Sequence, residues 1–89
     1  MKLSKVFADF NEITTQCELR RTLEFVIGRA SYKVDVLFCY SNPKSAWVTQ
    51  AYVEKRDGWK SVPEFPSVRE RSEEAAIRSA LGFLERLHK

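Results

Sequence analysis

The sequence predicts an α+β domain in which helices cover one face of a three-stranded antiparallel sheet. Three observations support this class. Residues 32–40 alternate between apolar and polar types, as in a strand, and residues 77–87 carry an apolar stripe at helical spacing. The third is the length, because 89 residues have room for one hydrophobic core. We therefore expect a single domain over 1–89, a two-layer sandwich with the order α-β-β-β-α.

The N-terminal third is predicted to be helical. A first apolar stripe at helical spacing consists of Leu3, Val6, Phe7, Phe10 and Ile13. A second stripe, out of phase with the first, consists of Leu19, Leu23, Val26 and Ile27. Thr14 and Thr15 separate the two stripes, and β-branched residues are poor helix formers. The pattern indicates two helices over 4–13 and 16–29, with Ser4 as a candidate N-cap, or one bent helix.

Three strands are expected next, over 32–40, 46–56 and 59–62. They are rich in β-branched and aromatic residues, which favour a pleated, half-buried surface. Asn42-Pro43 is a turn signal between the first two strands, and Asp57-Gly58 is a hairpin signal between the last two. The strands should therefore form an antiparallel meander.

A final helix is predicted to begin near Ser72, which can accept a hydrogen bond as N-cap, and Ser67 is an alternative start. Glu73 and Glu74 would lie at the positive end of the helix dipole. Its buried face is predicted to comprise Ile77, Ala80, Leu81, Leu84 and Leu87. The predicted core consists of Val34, Val36, Phe38, Ile77, Leu81 and Leu84.

The composition is that of a globular domain, with 44% hydrophobic and 30% charged residues. No apolar run approaches the roughly 18 residues that span a bilayer, and the N-terminus lacks the apolar stretch of a signal peptide. We therefore expect a cytoplasmic protein without a membrane partner. A net charge of +3 permits a nucleic-acid partner without requiring one.

Chemistry-bearing residues are sparse in this sequence. Cys17 and Cys39 are expected to be reduced thiols, because a secreted domain of this size usually carries more cysteines. His88, the single histidine, is expected to act only as a cation near a helix C-terminus. These residues cannot make a standard zinc site, and the three isolated glycines form no phosphate loop. The sequence thus predicts no catalytic residues, no metal and no cofactor.

Surplus aromatic residues suggest a binding surface instead. A single sheet has one core face, so at least one large aromatic side chain should stand on its open face or edge. The candidate binding residues are Trp47, Tyr52, Lys55, Arg56, Trp59 and Lys60. In the alternative interpretation, the loop over 63–71 covers that edge.

The predicted layout over residues 14–87 resembles the double-stranded RNA-binding domain, in its Asn42-Pro43 turn and in the Ala-rich final helix around 74–84. The resemblance implies RNA binding through phosphate contacts. The candidate cations for that role are Arg20, Arg21, Lys44, Arg69 and Arg71. This sequence has Glu73 and Glu74 where that family has phosphate-binding lysines, and carboxylates repel phosphate.

The short, motif-free α+β chain is also similar as a class to small phage-encoded inhibitors, anti-CRISPR proteins among them. The leading hypothesis is a non-catalytic protein-binding module that inhibits or regulates a larger complex. An RNA-binding domain is the alternative hypothesis. The oligomeric state is left open.

Overall fold

The computed structural model describes residues 5–6, 8–10, 12, 16–40, 44–66 and 68–89. From residue 16 onward, the described residues form four strands followed by a helix, with the bounds β1 Cys17–Ile27, β2 Ala30–Cys39, β3 Trp47–Lys55, β4 Gly58–Ser61 and α1 Glu73–Arg86. The strands form one antiparallel sheet in the order β1-β2-β3-β4. Within the described ranges, no helix is long and apolar enough to cross a membrane.

The predicted α-β-β-β-α order is wrong, because the segment predicted as a helix over 16–29 is the edge strand β1. Leu23, Phe25 and Ile27 alternate with more polar or more exposed neighbours, and this period of two marks a strand. The apolar residues of the second stripe also happen to fit helical spacing, and for this reason the strand was predicted as a helix. Gly28, at a φ of 62°, allows the tight turn that returns the chain into β2. Of the helix predicted over 4–13, the structure describes residues 5–6, 8–10 and 12, and among these 5–6 are helical; the Ser4 cap lies outside the described residues.

The three strands predicted after residue 30 and the final helix are present, with bounds within two residues of those expected. Gly58, at a φ of 119°, ends the tight β3–β4 turn. The backbone N–H of Ala75 donates to Ser72 Oγ at 3.1 Å, so Ser72 is the N-cap. Asn42-Pro43 and Ser67 lie outside the described residues.

The helix packs on β2 and β3, the two central strands of the sheet. Val34, Val36 and Leu84 are fully buried. The predicted core position Leu81 is 37% exposed and Leu87 is 52% exposed, so the predicted helix face is wrong by part of a turn. The observed face is centred on Ala76, Ala80 and Leu84, with Ile77 and Phe83 at its margins.

The contact of Phe65 with the helix accounts for the difference between the predicted and the observed buried face. The Phe65 ring packs edge-on against Phe83, with 5.4 Å between the centroids. The segment after β4 thus supplies core side chains and favours burial of the Phe83 side of the helix. Phe38, which was expected in the core, is only half-buried.

A disulfide joins Cys17 to Cys39, so the prediction of two free thiols is wrong. The two residues are direct cross-strand partners of β1 and β2. A bulge lies between Leu19 and Arg21, and it shifts the register of β1 by one residue. Without this extra residue, Cys17 would face Tyr40. The pairing therefore depends on a strand and a bulge that were not predicted.

Candidate protein-binding surface

One face of the sheet is covered by α1, and none of the described residues covers the other. Because side chains alternate along a strand, the residues of β2 that alternate with buried Tyr32, Val34 and Val36 point to this second face. We call it the open face. It comprises Leu19, Thr22, Glu24 and Val26 of β1, Ser31, Lys33, Asp35 and Leu37 of β2, Val48, Gln50, Tyr52 and Glu54 of β3, and Trp59 and Ser61 of β4.

The centre of the open face is a cation held against two aromatic rings. Lys33 is the cross-strand partner of Tyr52, and its Nζ lies 5.2 Å from the centroid of that ring. The same Nζ lies 5.0 Å from the centroid of Trp59. All three side chains are half-buried. Cation–π contacts at exposed sites contribute about 0.5–1 kcal/mol each, so they fix the rings on the surface.

Polar contacts and an apolar row extend the open face beyond this centre. Thr22 donates a hydrogen bond to Asp35 at 2.9 Å, and the Tyr52 hydroxyl donates to Gln50 at 3.1 Å. At the bulge end, Leu19, Leu37 and Val48 lie side by side across three strands. Leu19 is 54% exposed, so this row remains available for contact.

A depression of about 270 Å³ opens near the other end of the face, where Ser31 is the short residue between longer neighbours. Its lining includes Glu24, Val26, Glu54 and Trp59. Within the described residues, neither Glu24 nor Glu54 forms an ion pair or a side-chain hydrogen bond. The depression is therefore negatively charged with one aromatic wall.

The predicted binding residues divide among three places. Tyr52 and Trp59 lie on the open face, whereas Trp47 lies on the opposite face, edge-on to Phe38 with 5.1 Å between centroids. Two more, Lys55 and Arg56, are exposed at the hairpin between β3 and β4. Lys60 forms an ion pair with Asp57 at 3.2 Å. The structure thus brings together only the first two of the predicted residues.

Sequence reasoning missed Lys33, Ser31 and the two glutamates of the depression. The available signal was the alternation of β2 itself, which places Ser31 and Lys33 opposite the buried residues Tyr32 and Val34. Glu24 could not be placed there while β1 was predicted to be a helix.

The segment after β4 does cover an edge, as the alternative interpretation expected. Glu70 exchanges two backbone hydrogen bonds with Trp47, at 2.9 and 3.1 Å, and so covers the outer edge of β3 beyond β4. The sheet edge at Trp47 is therefore paired. By contrast, Trp59 belongs to β4, and its side chain lies on the open face rather than beneath the segment after β4.

Two of the predicted RNA-binding arginines are paired with carboxylates. Arg21 bonds Glu73 at 3.0 Å, and Arg20 bonds Glu18 at 3.3 Å. Arg20 also lies 4.8 Å from the centroid of Phe38. The remaining cations, Lys44, Arg69 and Arg71, are exposed. The two arginines were expected on a helix and lie instead on the strand β1.

Two further tyrosines bond titratable partners. The Tyr40 hydroxyl donates to Glu18, and this hydrogen bond is the main reason that the pKa of Tyr40 is raised above its ordinary value. Tyr32, only 5% exposed, has its hydroxyl 2.5 Å from His88 Nε2. His88 therefore docks against the sheet rather than lying free at the helix end.

A second depression, of about 520 Å³, lies between β1 and α1 on the covered side of the sheet. Leu23, Phe25, Ile27 and Leu81 supply most of its apolar lining. It exists because the helix packs over β2 and β3 and leaves the edge strand partly uncovered. In the described part of the chain, no group of three or more His, Cys, Asp or Glu residues could hold a metal ion.

The chain matches no protein-family model, and no curated protein or solved structure shows significant similarity to it. The resemblances to the double-stranded RNA-binding domain and to small phage inhibitors therefore stay predictions.

Proposed function

We propose that this protein is a non-catalytic protein-binding module that docks its partner on the open face of the sheet. The observation that carries the proposal is the aromatic pair Tyr52 and Trp59, held half-exposed by Lys33 at the centre of that face. Tyrosine and tryptophan dominate the energetics of protein interfaces because they bury a large area at low entropic cost.

The surroundings of the pair support a protein partner over a nucleic acid. The open face carries Glu24, Asp35 and Glu54 against one lysine, and this balance disfavours phosphate. Its apolar row at Leu37 and Val48 instead suits the mixed apolar and polar character of protein interfaces. Inhibition or regulation of a larger complex remains the form of binding that the sequence predicts.

The cytoplasmic location was predicted from the absence of a signal-peptide stretch, and the free thiols expected at Cys17 and Cys39 gave it further support. Their disulfide removes that support and favours an oxidising compartment, where such bonds persist.

Site-specific photo-crosslinking tests the docking surface. Benzoylphenylalanine is placed at Gln50 on the open face, at Arg78 on the exposed side of α1, or at Leu81 beside the second depression. We expect Gln50 alone to crosslink one discrete protein in cells of the source organism, and Trp59→Ala to abolish that product. Crosslinking only through Leu81 or Arg78, or to RNA rather than to protein, would overturn the proposal.

A further inference from the structure

Two carboxylates flank the depression over Ser31. Glu24 on β1 and Glu54 on β3 are exposed at its rim, with β2 running between them. Trp59 lines one side and Val26, which is 64% exposed, lines another. The depression thus combines negative charge, an aromatic ring and an apolar surface within about 270 Å³.

This combination fits a cationic side chain better than any other. A guanidinium group can lie over the ring of Trp59 while its N–H groups bond the carboxylates, and both contacts favour the same planar cation. The methylene groups of such a side chain would pack on Val26. An apolar side chain would leave both carboxylates without a partner, and an acidic one would be repelled.

Lys33 is a cation that already contacts aromatic rings on this surface. Its ammonium lies near the rings of Tyr52 and Trp59 in the row next to the depression. The two carboxylates outnumber this one ammonium, so the local charge remains negative. Lys33 nevertheless repels a second cation, and its removal should strengthen cation binding at the depression.

We infer that the depression over Ser31 accepts an arginine side chain of the partner protein. The inference rests on the proposed function, because the partner supplies the arginine. Its chemistry can nevertheless be measured without the partner, since a capped amino acid carries the same side chain.

The test is an NMR titration of the full chain with N-acetyl-arginine amide, compared with the lysine, norleucine and glutamate amides. We expect saturable shifts at the amides of Ser31 and Glu54 and at the Trp59 indole, strongest for arginine. The double variant Glu24→Gln/Glu54→Gln should weaken arginine binding about tenfold. Lys33→Met should strengthen it.

The matched control is Glu64→Gln/Glu74→Gln, which makes the same change in net charge at residues that do not line the depression. It should leave arginine binding within about twofold, because solvent and salt screen exposed charges that make no direct contact with the ligand. Retained dispersion of the amide spectrum shows that each variant is folded.

Equal shifts with norleucine amide, or arginine binding that survives the Glu24→Gln/Glu54→Gln change, would overturn the inference. That result would leave the open face as a docking surface intact if Gln50 still crosslinks a protein. Conversely, arginine binding here without such a crosslink would refute the proposed function alone.

Discussion

The Lys33 ammonium lies 5.0 Å from the centroid of the Trp59 ring, and this contact connects β2 to β4 across the intervening β3. Tyr52 lies between them in the sheet and receives the same cation at 5.2 Å. None of the three contacts α1 or belongs to the core cluster. The arrangement organises a surface, and its loss should affect binding far more than folding.

The packing of α1 predicts unequal effects for two neighbouring leucines. Leu84→Ala should lower the free energy of unfolding by about 2–5 kcal/mol, because Leu84 is fully buried and its truncation leaves a cavity. Leu81→Ala makes the same chemical change at a position that is 37% exposed, and should cost about 1 kcal/mol or less. Urea unfolding midpoints measure both. A larger cost for Leu81→Ala would restore the helix face predicted from the sequence.

These two leucines also show which features local sequence signals can predict and which they cannot. The alternation of β2, the Asp57-Gly58 turn and the Ser72 cap are local signals, and the structure agrees with each of them. The helix face depends on Phe65, a contact distant in sequence that local periodicity does not contain.

The strand β1 was missed for a different reason. Its leucines and valine satisfy helical spacing as well as strand alternation, and the choice is made by pairing with β2. Once β1 was taken as a helix, neither the Cys17–Cys39 disulfide nor the position of Glu24 on the open face could be predicted. The surface aromatics Tyr52 and Trp59 were predicted because they belong to strands with strong local signals.

The cross-strand disulfide should stabilise the fold. The double variant Cys17→Ser/Cys39→Ser should lose about 3 kcal/mol, since the bond closes a loop with a sequence separation of 22 residues. The measurement is urea unfolding of both proteins with and without reductant. Reductant should shift only the unsubstituted protein, whose native mass should be lower than that of the dithiol by two hydrogens. A dithiol mass for the native protein would restore the prediction of free cysteines.

The hydrogen bond from Tyr40 to Glu18 predicts a pH effect on the alkaline side. Because the pKa of Tyr40 is raised in the folded state, the stabilisation is complete below the ordinary tyrosine value of 10.0. It is lost as the pH rises through the folded pKa. Glu18→Gln should bring the Tyr40 pKa back towards its ordinary value, as followed by NMR of carbon-labelled tyrosine. An unchanged Tyr40 pKa in that variant would show that Glu18 is not the cause.

Duplex RNA should bind weakly, because affinity for a duplex comes mainly from phosphate neutralisation. Arg21 is already paired with Glu73, and Glu74 adds a further carboxylate at the start of α1. Glu73→Lys/Glu74→Lys should therefore raise RNA affinity in a gel shift at two salt concentrations. Sub-micromolar binding by the unsubstituted protein at physiological salt would favour the RNA-binding alternative.

The most direct measurement of the central claim is the affinity of the crosslinked partner, once identified, for open-face variants. Trp59→Ala should weaken binding at least about thirtyfold, the effect of losing an interface hot spot of about 2 kcal/mol. The control Arg78→Ala removes an exposed side chain from α1 and should leave the affinity unchanged. Both variants should unfold within about 1 kcal/mol of the unsubstituted protein. Equal affinity for the Trp59→Ala variant and the unsubstituted protein would contradict the assignment of the open face as the docking surface.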